Sequence, residues 1–269
     1  MKHVFRFFGK FEGGQWSFSE SEFKHLATVV RLKEGDQFEA IDGKGRLDRV
    51  LITDIAKRRL VTEVVSSSVY DPSPYSLSIR VGALKPSSAE EILSPLVETG
   101  ATQVLFFLQK GVERARLSDK LREKFVRKMI EAVKQSKRLF FPELVFCKSL
   151  EDSFKSDDKF DLQCFLDHEA QVSLRDFYSK IAGNVDASID GNAKKNDEQE
   201  KTSTFAPPKK VCFYVGGEKG WDDAEKALLI ERGLTGVALH GHVLKAKTAS
   251  VAASVLGAQL LRQEAFQNS

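Results

Sequence analysis

From residue 77 onward, apolar runs of four to eight residues alternate with longer stretches of helical periodicity. A chain patterned this way folds as a largely parallel sheet covered by helices on both faces, because each βα step must bury both its strand and its helix. The strand-like runs are Leu77–Leu84, Gln103–Leu108, Asp161–Leu166, Val211–Val215 and Gly236–Leu239. Helical periodicity marks Ala89–Thr99, Leu117–Leu139, Val172–Ile181, Asp222–Arg232 and Thr248–Gln263. Ser88 with Glu91, and Asp222 with Glu225, have capping-box spacing, while Gly100 and Gly233 stand where helices should stop. Pro95 predicts a kink in the first of these helices.

Residues before this alternation read differently. Phe5–Phe8, Gln15–Phe18, Gln37–Ile41, Arg49–Ile55 and Leu60–Val65 have strand character, and Ser19 with Glu22 opens a helix through Val30. Asp71-Pro72-Ser73-Pro74 stops both helix and ladder, so a boundary is expected there, between a unit of about 1–72 and one of about 75–269. The polar stretch 183–210 holds too few apolar residues to offset its ordering entropy and reads as a flexible insertion.

Two glycine-bearing loops follow strand-like runs and precede helices, at the edge where open α/β sheets bind ligands. The first is Gly216-Gly217-Glu218-Lys219-Gly220, and the second runs from Leu239 through His240, Gly241, His242, Val243 and Leu244 to Lys245. Bare backbone there can approach a flat ligand and read it through N–H and C=O groups. The stretch Gly241 to Thr248 imitates a phosphate-binding loop, but Ala246 places a Cβ where such a cradle needs glycine. Nucleotide hydrolysis is therefore not expected.

The overall charge is +3, yet Arg114 to Arg138 carries ten basic residues against three acidic ones, a candidate footprint for a polyanion. Arg127, Glu131, Lys134 and Arg138 recur at helical spacing with Gln135 beside them, and donors near a helix end can meet a base edge or a phosphate. A solvated helix face has the same pattern. Three dispersed cysteines, Cys147, Cys164 and Cys212, fit a reducing compartment and small core residues. The five histidines lack metal-ligand spacing, so no metal is expected. No apolar stretch has the length of a signal peptide or membrane span, which leads us to expect a cytoplasmic protein with no membrane partner.

Several motifs together carry a resemblance. Arg6-Phe7-Phe8, His25-Leu26, Val29-Val30-Arg31-Leu32-Lys33, Gly35-Asp36 and Asp42-Gly43 lie in the first unit. Leu84-Lys85, Glu98, Gly100, and Glu131-Ala132 with Gln135-Ser136, Arg138 and Pro142 lie in the second. The chain resembles the bacterial 16S ribosomal RNA uracil-N3 methyltransferases, a branch of the knotted SPOUT methyltransferases. The resemblance implies an α/β fold: a C-terminal trefoil-knotted domain with a parallel sheet, behind a small N-terminal PUA-like RNA-binding β-barrel. It implies S-adenosylmethionine as methyl donor, 16S rRNA of the small ribosomal subunit as partner, a homodimer and no metal. The donor residues it implies are Leu166, Gly216, Gly217, Glu218, Gly220, Leu239, His240, Val243 and Leu244, with Arg138 and Lys245 supplying catalytic charge. Arg6, His25, Arg31, Lys33, Arg127 and Gln135 are the implied RNA contacts.

The two loops depart from the family pattern. The family's first loop is Gly-Pro-Glu-Gly-Gly, whereas Gly217 and Lys219 stand here in its second and fourth places. In the second loop, His240 replaces a Gly, His242 and Lys245 replace Arg, and Lys247 replaces Glu. The competing expectation is a non-catalytic RNA-binding assembly factor with a degraded donor pocket.

Overall fold

In the computed structural model, which describes residues 4–56, 59–112, 117–155, 159–181, 208–239 and 241–261, the expected alternation forms a six-stranded sheet. Its strands are β6 (Ser76–Gly82), β7 (Gln103–Phe107), β8 (Glu143–Cys147), β9 (Leu162–Leu166), β10 (Lys210–Val215) and β11 (Thr235–Val237), in the order β11-β9-β10-β6-β7-β8. Every pairing in this sheet is parallel. Its strands are buried on both faces, as continuous apolar runs require. Leu77, Ile79 and Val81 of β6 join Val104 and Phe106 of β7, and Val211, Phe213 and Val215 of β10, on one face. Leu105, Phe107, Phe165, Cys212 and Tyr214 point to the other.

The first face is covered by α2 (Pro86–Glu98), α3 (Asp119–Gln135), α4 (Leu174–Ile181) and α6 (Ala246–Leu261). The second is covered by α5 (Asp223–Glu231) and the turn Glu151–Phe154. At Gly257 of α6, an added Cβ would come within 2.9 Å of the Phe213 ring, so the helix lies close on the sheet. Strand β11 is at the sheet edge, yet α6 packs on the central strands β10 and β6 and on α2.

Residues 6–69 form the other sheet, the first in chain order: β1 (Arg6–Glu12), β2 (Gln15–Phe18), β3 (Gln37–Ile41), β4 (Arg46–Ala56) and β5 (Arg59–Val69), ordered β2-β1-β3-β4-β5. Phe7, Trp16, Leu26, Phe38, Ala40, Val50 and Ile52 fill its core. The short helix α1 (Glu20–Lys24) continues as a π-helical turn over His25–Val30 and ends with Arg31 in the left-handed region.

Capping is only partly as expected. Asp222 and Glu225 form the reciprocal box at the start of α5. Ser19 caps α1 by accepting from Glu22 N, but the Glu22 carboxylate turns away to accept from Phe8 N. Helix α2 begins at Pro86 and not at Ser88, because proline at the first turn needs no amide partner. It runs on through Pro95 to Glu98. Most of 183–210, namely 183–207, lies outside the described residues. All three cysteines are free thiols, two of them buried. Among the described residues no helix is long and apolar enough to cross a membrane, and no group of three or more His, Cys, Asp or Glu could hold a metal ion.

Candidate functional site

In a parallel sheet all strands point the same way, so the loops after β9, β10 and β11 gather at one edge. There they enclose a cleft of about 400 Å3, with the first turn of α6 as a further wall. Leu166, Val215, Val237, Leu239, Leu244 and Ala249 give it apolar surface, and Gly216, Gly217 and Gly220 give it open backbone. Its charged groups are balanced, with Asp167, Glu169 and Glu218 facing Lys219, Lys226 and Lys245.

The walls are fixed by named contacts. Trp221 donates its indole N–H to the Leu166 carbonyl at 2.8 Å and stacks on Phe107. Lys226 bridges Asp167 at 2.8 Å and Glu169 at 2.6 Å, and those two hydrogen-bonded carboxylates hold its ammonium above the usual lysine range. The Glu218 carboxylate accepts from Lys85 N at 3.0 Å, which ties the first glycine loop to the start of α2.

The structure brings Leu166, Gly216, Gly217, Glu218, Gly220, Leu239, Val243 and Leu244 together around this cleft, with Lys245 among its lining residues. His240 lies outside the described residues. Lys247 does not reach into a phosphate cradle: its ammonium pairs with Glu91 of α2 at 2.5 Å, and α6 begins at Ala246, the residue that breaks the phosphate-loop pattern.

Arg138 is not brought to the cleft. It follows the end of α3, and its Nη1 donates at 2.7 Å to the carbonyls of Val97 and Ala101. Ala101 precedes β7, so this anchor sits at the opposite edge of the sheet, about 16 Å away at ~3.3 Å per strand residue. Burial pulls its guanidinium down to about 10, which leaves it charged at neutral pH. Within this chain Arg138 thus lies away from the cleft and fastens the segment after α3 to the turn between α2 and β7.

The expected RNA contacts divide. Arg31, Lys33, Arg127 and Gln135 are exposed, and His25 is half-buried with its ring edge-on to Phe7. Arg6 differs from these, since its side chain is only 10% exposed and pairs with Glu39 at 2.6 Å on the neighbouring strand β3. The helical face read from Arg127, Glu131, Lys134 and Arg138 also dissolves. Lys134 is buried against Glu22 of α1 at 2.6 Å, and Glu131 supports it at 2.9 Å.

The segment after α3 completes that seam. Phe141 N donates to the Gly43 carbonyl and Gly45 N to the Leu139 carbonyl, in an antiparallel bridge between Lys44 and Phe140. Gly45 has φ +102°, and an added Cβ there would strike the Tyr70 carbonyl and the Phe140 ring. The run from Glu131 to Pro142 is therefore largely an interdomain fastener.

Sequence reasoning missed several lining groups: Asp167, His168, Glu169, Trp221 and Lys226. The signal for Asp167 to Glu169 was present, since they directly follow a strand that points to the loop edge. Gln109, whose carboxamide braces the first glycine loop from behind, had no local signal.

Comparison with known proteins places these features in a family. Residues 71–257 match the RNA methyltransferase domain and residues 18–65 the RNA methyltransferase PUA domain. A ribosomal RNA small subunit methyltransferase E from Synechocystis is 28% identical over 87% of this chain and 69% of its own length. A ribosomal RNA small subunit methyltransferase E 1 from Borreliella burgdorferi is 21% identical, covering 94% of this chain and 96% of itself. A Legionella pneumophila methyltransferase, solved with S-adenosylmethionine bound, shares the fold at TM-score 0.74 and 19% identity, over 95% of this chain and 97% of that one. With its parallel-sheet domain matched from 71 to 257 and its first sheet matched as the accompanying PUA domain, the chain belongs to the RNA methyltransferase family.

Proposed function

We propose that the protein methylates N3 of a uridine in 16S rRNA of the small ribosomal subunit, with S-adenosylmethionine as the methyl donor. The observation that carries this is the cleft at the strand ends, where apolar walls, open glycine backbone and a balanced set of charges converge. Its volume of about 400 Å3 lies within the range of small-molecule sites. Leucine and alanine side chains suit an adenine face, and backbone groups of the glycine loop suit its polar edge. Mixed carboxylates and ammonium groups suit a ligand with a sulfonium, an amine and a carboxylate. The names of the Synechocystis and Borreliella relatives support the RNA substrate, and the donor bound in the Legionella structure supports the cofactor.

When bound, the donor supplies an electrophilic methyl group. The chain's own residues have two tasks: to orient uracil N3 toward it, and to favour loss of the N3 proton. Lys245 at the cleft rim places positive charge where the uracil anion develops. The remaining work is positioning.

We assign the unit of about 1–72 to RNA docking and that of about 75–269 to transfer. A second cleft, of about 720 Å3, separates the first sheet from α3; Glu22, Glu90 and Glu131 line it together with Lys10, Lys124, Arg127 and Lys128, and the basic members other than Lys124, which pairs with Glu90 at 2.7 Å, support phosphate contacts there. The return of the chain from edge strand β11 to α6 on the central strands supports the knot of the resemblance. Exposed Val255 and Leu256 on α6 support a homodimer, and we place the protein in the cytoplasm.

Calorimetric titration of S-adenosylmethionine into the purified protein tests the central claim. Saturable binding is expected, and absence of heat at millimolar donor would leave only the RNA-binding assembly factor. Lys245→Ala is expected to lower kcat on small-subunit RNA by about ten- to a hundred-fold, a larger loss than that in donor affinity. Mass analysis of digested RNA should find the methyl group on uracil N3.

A further inference from the structure

We propose that Gln109 is a positioning residue that clamps the first glycine loop into its donor-reading shape. Gln109 lies just past the end of β7, behind the loop and not among the residues lining the cleft. Its Oε1 accepts from Gly217 N at 2.8 Å, and its Nε2 donates to the Gly220 carbonyl at 2.9 Å. One side chain therefore holds both ends of the turn, which Gly220 N closes on itself by donating to the Gly217 carbonyl at 3.0 Å.

The clamp is itself anchored. Nε2 also donates to the Glu225 carboxylate at 2.8 Å, and Glu225 belongs to the capping box that starts α5. Partial burial raises the Glu225 carboxyl above the usual range, in keeping with its half-buried place behind the loop. The loop is thus tied through Gln109 to a helix end and to the end of β7.

A loop that reads a ligand by its backbone needs this. Three of its five residues are glycine, the residue that loses most conformational freedom on ordering. A site 1 Å too loose loses most of its effect. In the family pattern a proline stands at position 217 and fixes the backbone covalently. Gly217 has no such ring, but it has an N–H that proline lacks, and that N–H is the one Gln109 takes. A hydrogen bond across 108 residues of sequence thus does the work of a ring.

The space around Gly217 makes the exchange testable. Its φ is outside the left-handed region, and an added Cβ would strike Gln109 Oε1 while its other neighbours stay 3.5 Å away. Proline at 217 therefore collides with Gln109 Oε1 through its Cβ, and removing that side chain clears this collision. The clamp rests on the donor-binding reading, and the experiment keeps the two apart. S-adenosylmethionine is titrated into the wild type, Gln109→Ala, Gly217→Pro and the double variant, with thermal unfolding of each.

Gln109→Ala is expected to weaken donor binding about ten-fold, the loss of two hydrogen bonds, with only a small change in Tm. Gly217→Pro alone should also weaken it, and the double variant should bind better than either. Unchanged affinity in Gln109→Ala, or losses that simply add, would overturn the clamp. If the wild type itself binds no donor, the functional reading fails, and hydrogen exchange at the Gly217 amide still decides the clamp. That amide should exchange faster in Gln109→Ala, and equal rates would refute it.

Discussion

Lys134→Ala is expected to lower the unfolding free energy by about 3–5 kcal/mol, the usual result of removing one partner from a buried ion pair. Lys134 and Glu22 are each only 6% exposed, and their 2.6 Å contact joins α3 to α1, whose Glu22 also accepts from Phe8 N of β1. Without the ammonium, the Glu22 carboxylate keeps only the Phe8 N–H, which is too little to hold a charge out of water. Glu131 cannot compensate, since it carries the same sign. Replacing both partners by apolar residues, Glu22→Leu with Lys134→Met, should recover most of the loss, because the unpaired charge and not the missing attraction dominates. Chemical denaturation measures both. A single-variant loss below about 1 kcal/mol would place this pair with ordinary surface bridges. The seam lies apart from the donor cleft, so Lys134→Ala should reduce RNA methylation more than donor affinity.

That ion pair shows where the sequence stops being legible. Ser19 and Glu22 have the spacing of a local cap, and half of it forms, but Glu22 is claimed by a lysine 112 positions away. Local periodicity likewise put Arg127, Glu131, Lys134 and Arg138 on one face, whereas α3 ends at Gln135 and Arg138 turns to the carbonyls of Val97 and Ala101. Charge runs carry no record of which member is buried.

The parallel sheet was far more readable. Alternate residues of β6, β7 and β10 enter two different cores, so the apolar runs are continuous, and helices must separate them. Strand β8 escaped, being a five-residue edge strand just behind Pro142 with its first residue exposed. The glycine loops announced the cleft because strand ends and bare backbone are both visible in sequence. The groups that brace those loops, Trp221 and Gln109, act across long stretches of chain and leave no pattern.

Gly82→Ala is expected to weaken donor binding by about ten- to a hundred-fold while leaving the protein folded. Gly82 ends β6 at the centre of the sheet, directly beneath the first glycine loop. A Cβ there would lie 2.6 Å from Gly217 N and would overlap the Gln109 carboxamide. Its φ is outside the left-handed region, so alanine brings no backbone strain of its own, and the effect is purely one of room. Overpacking of this kind costs about 1–3 kcal/mol where it cannot be relieved. Gly217 is buried but the loop is exposed from Glu218 to Gly220, so it relieves the overlap by moving outward, which converts the stability cost into a lost binding geometry. The contact to Gly217 N is backbone, so removing the Gln109 side chain cannot make space. Gly82→Ala should therefore remain defective in a Gln109→Ala background, unlike Gly217→Pro. Donor titration of Gly82→Ala with wild-type affinity would show that the loop shifts freely without harm, and that the cleft does not depend on its position.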